Sequence, residues 1–239
     1  MSRLQELRSN LDALQARIAT AAQRAGRDTA DVRLVAVSKG HPAQDLAALH
    51  QLGVHDMGES YLSEALPKRA ELPHLPGLRW HMIGHVQSRK AADVAEHFDW
   101  VHSVDSLRLA GKLSAAAGAA GRRLAVLLQV NPSAEPSKHG WLAHDETHWA
   151  RALPEIEQAL QLPDLDIRGL MCMAPFTDTA EQARPYFART RDLLADLARR
   201  FPQVGLDQLS MGMTNDFEAA IEEGATLVRV GTAVFGARP

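Results

Sequence analysis

The first apolar pattern in the chain is helical: Leu4, Leu7, Leu11, Leu14 and Ile18 recur in steps of three and four, which places them on one stripe. Ser2 and Gln5 stand ahead of that stripe with the spacing of a capping box, and Gly26 follows where a helix can stop through a left-handed residue. After this helix the period changes repeatedly. A short β-branched or apolar run gives way to a polar turn and then to a helical pattern. Eight runs are expected as strands, at 33–38, 54–57, 78–83, 100–104, 124–130, 165–171, 207–210 and 226–230. Helices are expected after the first seven, at about 42–52, 60–71, 86–97, 106–120, 145–160, 178–200 and 214–223. Pro42, in a first-turn position, and Gly53, just past an end, mark the first of these.

Strand alternating with helix means parallel strands joined by right-handed crossovers. Eight strands in 239 residues favour a closed barrel over an open sheet, and the first strand is not followed by the G-x-G-x-x-G of a dinucleotide-binding sheet. No Pro/Gly/Ser-rich linker or break in composition divides the chain. The expectation is therefore an α/β protein: a single (β/α)8 TIM-type barrel with an extra N-terminal helix, one domain over residues 1–239.

Composition narrows the partner rather than the fold. A formal charge of -3 offers no bulk attraction for nucleic acid or an anionic membrane, which leaves a small molecule as the expected ligand. Cys172 is the one cysteine, so no internal disulfide can form. A cytoplasmic setting is expected, since residues 1–26 are amphipathic and interleaved with charge, unlike a signal peptide.

Barrels of this kind carry their sites on the loops after the C-terminal strand ends, with phosphate often held after the seventh and eighth strands. The first strand ends Ala36-Val37-Ser38-Lys39. A lysine at that point reads either as a solvated loop residue or as a partly desolvated amine able to attack a carbonyl. Ser210, Gly212, Gly231 and Thr232 place hydroxyls and glycine amides at two neighbouring strand ends, as a phosphate cradle or as turn and cap chemistry. Arg229, inside the apolar run Leu227-Val228-Arg229-Val230, needs a partner: a buried carboxylate, or the ring nitrogen or phosphate of a ligand. Amine, phosphate site and planar donor together match what pyridoxal 5′-phosphate (PLP) requires of a protein.

At these residues the chain resembles the YggS/PROSC family of PLP homeostasis proteins along almost its whole length. The resemblance rests on Leu34-Val35-Ala36-Val37-Ser38-Lys39, on Trp80-His81-Met82-Ile83-Gly84-His85-Val86-Gln87-Ser88-Arg89-Lys90 and on Asn131-Pro132-Ser133-Ala134-Glu135-Pro136-Ser137-Lys138-His139-Gly140. Arg168-Gly169-Leu170-Met171, Ser210-Met211-Gly212-Met213 and Arg229-Val230-Gly231-Thr232-Ala233-Val234-Phe235-Gly236-Ala237-Arg238 follow in order. It implies a barrel like the N-terminal domain of alanine racemase, with PLP joined to Lys39 as a Schiff base. Ser210, Gly212, Gly231 and Thr232 are then expected on the phosphate and Arg229 at the pyridine nitrogen. The chain departs from the family at Ser60, where Asn is usual, and at Thr214, where serine is usual.

A guanidinium at the ring nitrogen disfavours its protonation and makes the ring a poorer electron sink. The expected function is thus intracellular PLP homeostasis, a carrier that buffers or delivers the cofactor to PLP-dependent apoenzymes, with no catalytic residue assigned. The rivals are an amino-acid racemase using Lys39 and Tyr61, and a phosphosugar Schiff-base aldolase. A monomer is expected, because the racemase domain that favours dimers is not in this sequence. His81 with His85, and His144 with His148, do not make convincing metal pairs, and no required metal is expected. Cys172 and Tyr186 read as packing residues; His81 reads as a pocket contact or a satisfied structural histidine.

Overall fold

The computed structural model describes residues 2–72 and 75–237; Arg238, which closes the last family segment, lies outside them. Helix α1 (Arg3–Arg24) begins on the expected box, with the Ser2 hydroxyl accepting from the Gln5 amide at 3.3 Å and the Gln5 side chain accepting from the Ser2 amide at 2.9 Å. Gly26 takes φ 65° beyond its end. Leu7, Leu11, Leu14 and Ile18 are buried along the stripe, whereas Leu4 is 38% exposed.

The strands are β1 (Arg33–Val37), β2 (Asp56–Glu59), β3 (Arg79–Met82), β4 (Trp100–Val104), β5 (Leu124–Asn131), β6 (Trp141–Leu142), β7 (Leu165–Met171), β8 (Gln208–Ser210) and β9 (Leu227–Val230). Eight of them form a closed parallel barrel in the order β1-β2-β3-β4-β5-β7-β8-β9, with β9 returning to β1. The two-residue β6, which the hydrophobic pattern does not announce, pairs only with the end of β5. Helices α2 (Ala43–Gln51), α3 (Leu62–Glu71), α4 (Ala91–His97), α5 (Leu107–Ala119), α6 (Glu146–Leu160), α7 (Ala180–Arg200) and α8 (Phe217–Glu222) surround it. Two expected helices are shorter than their polar periodicity: a 3-10 turn at Ser88–Lys90 precedes α4, and Met213 to Asp216 form a loop ahead of α8. Pro42 is the N-cap of α2 rather than its first residue. The second strand runs two residues later than its apolar run, because Val54 packs in the turn before it.

Successive strand residues face opposite sides. Ala36, Val101, Val126 and Val228 pack outward with the helices, while Val35, Leu127, Met171 and Leu227 form a small apolar floor inside, with Trp100 against them. Two residues further along, the same inward faces carry His102 after Trp100 and Arg229 after Leu227, both buried. The upper interior of this barrel is therefore polar, where branched apolar side chains are usual.

Among the described residues a four-residue helix, α9 (Thr232–Phe235), follows the last barrel strand. α1 takes the vacant position in the outer ring, packed against α8, α9 and α2. Arg17 pairs with Glu218 at 2.7 Å, Arg24 with Glu222 at 2.9 Å, and the Asn10 amide donates to the Val234 carbonyl at 3.0 Å. Among the described residues no helix is long and apolar enough to cross a membrane. Since Leu7 is fully buried in this seam, Leu7→Ala is expected to lower unfolding free energy by about 2–5 kcal/mol, measurable by denaturant titration.

Candidate cofactor site

A cavity of about 240 Å3 opens at the C-terminal ends of the strands. Val37, Lys39 and His41 line it from β1 and the following loop; Thr214 lines it from the loop after β8, Arg229 from β9, and Gly231 and Thr232 from the start of α9. Ser60, at the position of the family's usual Asn, is on the wall too. Of the residues expected from the sequence, Lys39, Arg229, Gly231 and Thr232 are thus brought together, with Thr214 beside them.

Lys39 is half-buried, and among the described residues no hydrogen bond or ion pair engages its amine. Its two neighbours are firmly held. The Ser38 hydroxyl donates to Glu59 at 2.6 Å, and the Gly40 amide donates to the Glu64 carboxylate. Lys68 bridges these acids, donating to Glu59 at 2.7 Å, to Glu64 at 3.1 Å and to the Ser38 carbonyl at 2.8 Å. Lys68 and Glu59 are both buried, and burial pushes the Glu59 carboxyl up against the pull of Lys68 and Ser38. The Glu59 Oε2 atom is buried without a hydrogen-bond partner. This clamp fixes the backbone on either side of Lys39 and leaves its amine free, an arrangement no short motif announces.

Arg229 is 5% exposed. Its Nη1 donates to the Ser210 hydroxyl at 2.6 Å and its Nη2 to the Cys172 carbonyl at 2.9 Å. Both hydrogen-bond acceptors are neutral, while the buried carboxylate of Asp216 attracts the guanidinium across space without a direct bond. Burial presses the guanidinium towards its neutral form.

Ser210 and Gly212 occupy a different layer from the cavity wall. The Ser210 side chain is fully buried, held between Arg229 and His102 Nδ1 at 2.8 Å. Gly212, at φ 91°, passes so close to the start of α8 that a Cβ there would come within 2.6 Å of the Ala220 side chain. It is glycine for packing the loop. Neither residue lines the cavity that Lys39, Gly231 and Thr232 share.

Of the two histidine pairs weighed as metal holders, His81 and His85 lie in different surroundings, whereas His144 and His148 lie together. His81 points into the barrel, with its ring nitrogens 2.8 Å from Asp56 and 2.9 Å from His102. His85 instead meets Asp105 at 3.0 Å, and its ring stacks on His139 at 4.0 Å. His144, Asp145 and His148 form a second group with donor atoms close enough for an ion. The Cys172 thiol is buried and pushed up to about 11 by that burial, the state of a packed residue rather than of a nucleophile. Tyr186 packs against the core.

A parallel eight-stranded barrel with a free lysine after its first strand and a buried arginine in its last defines the class of the alanine racemase N-terminal domain, and the profile of that family, "Alanine racemase, N-terminal domain", matches residues 9–239. Within that class the chain belongs to the YggS/PROSC family of pyridoxal phosphate homeostasis proteins. It is 52% identical over 232 residues to the protein of that name from Pseudomonas aeruginosa, covering 96% of this chain and 94% of the relative. It is 40% identical over 241 residues to the one from Escherichia coli K12, covering 98% of each. Among solved structures, PipY of Synechococcus elongatus with PLP bound superposes with a TM-score of 0.80 at 42% identity, over 92% of this chain and 100% of that one.

The clamp makes a testable demand. Lys68→Met leaves Glu59 buried without its cation, and unfolding free energy at neutral pH is expected to fall by about 3–5 kcal/mol. With its partner gone, Glu59 has a folded pKa raised further above the unfolded value of about 4.3. A proton on Glu59 then relieves the defect, so the deficit should be smallest in acid and grow as pH rises through the folded value. Denaturant unfolding of both proteins across pH measures this.

Proposed function

We propose that this chain binds PLP through Lys39 as a Schiff base and acts in PLP homeostasis, holding the cofactor for delivery rather than turning over a substrate of its own. The observation that carries the reading is the single cavity wall shared by the free amine of Lys39, the buried guanidinium of Arg229 and the polar groups of Thr214, Gly231 and Thr232. PLP, when bound, supplies an aldehyde that condenses reversibly with a primary amine.

The residues fit each part of that molecule. Thr232 and Thr214 offer hydroxyls to the phosphate, and the first turn of α9 leaves its leading amides outside the helix's own hydrogen bonds. At Gly231 a Cβ would come within 3.1 Å of the Val37 carbonyl, so the loop sits close against β1 beside Lys39. Arg229 has further N–H groups beyond the two committed to Ser210 and Cys172, and these serve the pyridine nitrogen. A cavity of about 240 Å3 suits a single-ring ligand, near the small end of the range of roughly 300–1,000 Å3 for ligand pockets.

Two arguments support a carrier over a racemase. The donor-only partner for the ring nitrogen weakens the ring as an electron sink. Tyr61, the candidate second base, is 63% exposed and lines the adjoining chamber of about 650 Å3 rather than the cavity of Lys39. The reading extends to a monomeric, cytoplasmic protein with PLP-dependent apoenzymes as recipients, an extension that rests on the sequence reading alone.

Purified protein mixed with PLP is expected to gain a visible absorption band, and borohydride followed by peptide mass spectrometry to place the reduced adduct on Lys39. Lys39→Ala should lose both while keeping its fold. A protein that stays colourless with saturating PLP overturns the reading.

A further inference from the structure

Five buried polar side chains cross the barrel interior in one continuous line. Arg229 Nη1 meets Ser210 Oγ at 2.6 Å, Ser210 Oγ meets His102 Nδ1 at 2.8 Å, and His102 Nε2 meets His81 Nδ1 at 2.9 Å. His81 Nε2 then meets Asp56 Oδ1 at 2.8 Å, and Asp56 is closed by two bonds from Arg79, at 2.7 and 2.6 Å. Ser210, His81 and His102 are fully buried and Asp56 nearly so, and Arg79 carries the far end to solvent.

The chemistry of the two ends sets the direction of every bond between them. A guanidinium only donates, and an ionised carboxylate only accepts. Arg79 and His81 hold Asp56 well below the usual carboxylate range, so it accepts from His81 Nε2–H. Burial favours neutral imidazoles at both histidines, and for His102 the neighbouring His81 and Arg229 add to that push. Neutral His81 then has a bare Nδ1 that accepts from His102 Nε2–H. Neutral His102 has a bare Nδ1 that accepts the Ser210 proton, and the serine oxygen receives Arg229. All four links point the same way, from the cavity towards Asp56.

We propose that His102, His81 and Asp56 are positioning residues for Arg229, acting through Ser210 to fix which of its N–H groups face the ligand in the Lys39 cavity. The relay commits the Ser210 proton to His102, which keeps the serine oxygen as a permanent acceptor for Nη1 and withholds its hydroxyl from phosphate. A serine free to rotate could turn its proton towards Arg229 and release the guanidinium from its plane. The direction of the relay stands on this chain's own atoms, whereas its effect on the ligand rests on the PLP reading above.

The test has two independent arms. In ligand-free protein labelled with 15N-histidine, His81 and His102 are both expected as the Nε2–H tautomer and to stay neutral from about pH 6 to about pH 8. The groups around them are Arg33 on β1, Asp56 on β2, Arg79 on β3, Trp100 on β4, Ser210 on β8 and Arg229 on β9. An Nδ1–H tautomer or a titrating ring at either position overturns the relay, whatever the protein does with PLP. In the second arm, His102→Leu and Ser210→Ala are each expected to weaken PLP binding about tenfold and to shift its absorption band, with the double variant no worse than either alone. His102→Gln, which can still accept from Ser210 and donate to His81, should recover most of the loss. Wild-type affinity and spectrum in folded His102→Leu, or additive losses, overturn the positioning role. If His102→Leu does not fold, Ser210→Ala and His102→Gln still read it. Failure of wild-type protein to bind PLP at all defeats the functional reading instead and leaves the tautomer result intact.

Discussion

A permanently charged guanidinium on the inward face of β9 constrains much of the barrel around it. Arg229 is almost entirely removed from water, and its two satisfied donors end on a serine hydroxyl and a backbone carbonyl, neither of which cancels its charge. An uncompensated buried charge is expensive, and a polar network in low dielectric is worth having only when each member is satisfied. The upper interior is organised accordingly: Asp216 attracts the guanidinium from the loop ahead of α8, and Ser210, His102 and His81 fill the space between Arg229 and Asp56 with bonds of 2.6–2.9 Å. The apolar floor of Val35, Leu127, Met171 and Leu227 beneath remains conventional. The contrast between the two layers shows where the barrel departs from pure packing.

The opposite wall of the cavity solves a different problem. The amine of Lys39 has no hydrogen bond or ion pair among the described residues, and it is the backbone on either side that is anchored. Ser38 and Gly40 each bond to a carboxylate, and Lys68 ties those carboxylates together from α3. The ion pair is costly to bury and easily broken by losing one partner, yet it spares Lys39 any ionic contact of its own. Gly84 tightens the same region from the loop after β3, since a Cβ there would come within 2.2 Å of the Ser60 carbonyl.

Much of this was legible in the chain because the pattern of strand and helix is local. The eight barrel strands, the capping box at Ser2 and the placing of Lys39, Arg229, Gly231 and Thr232 around one mouth all follow from periodicity and from strand ends. Ser210 was harder. It ends a strand of only three residues, too short for alternation to declare which face it takes, and the structure turns it inward. The histidine relay was hidden for a stronger reason: its bonds join residues 21, 25, 108 and 19 positions apart, and only barrel closure makes them neighbours. His81 and His85 invited comparison because they are close in sequence, yet residues on a strand and on the loop beyond it need not share surroundings. A signal did exist in the inward spacing of Trp100 to His102 and Leu227 to Arg229, which puts polar groups on a face whose preceding residue is core.

The N-terminal helix connects the two walls. By standing in for the short eighth helix, α1 meets both the element carrying Thr232 and the element following Lys39. Asn10 binds the α9 carbonyl of Val234, and Arg3 forms two bonds to the buried Asp45 of α2, at 3.1 and 2.6 Å. Between these contacts, His41 stacks on Phe235 at 4.5 Å, joining the β1 loop directly to α9. The two halves of the cavity rim therefore share a single backing. In a barrel whose first and last strands are neighbours, the helix that comes earliest in the chain is the one placed to hold together the site built from its two ends.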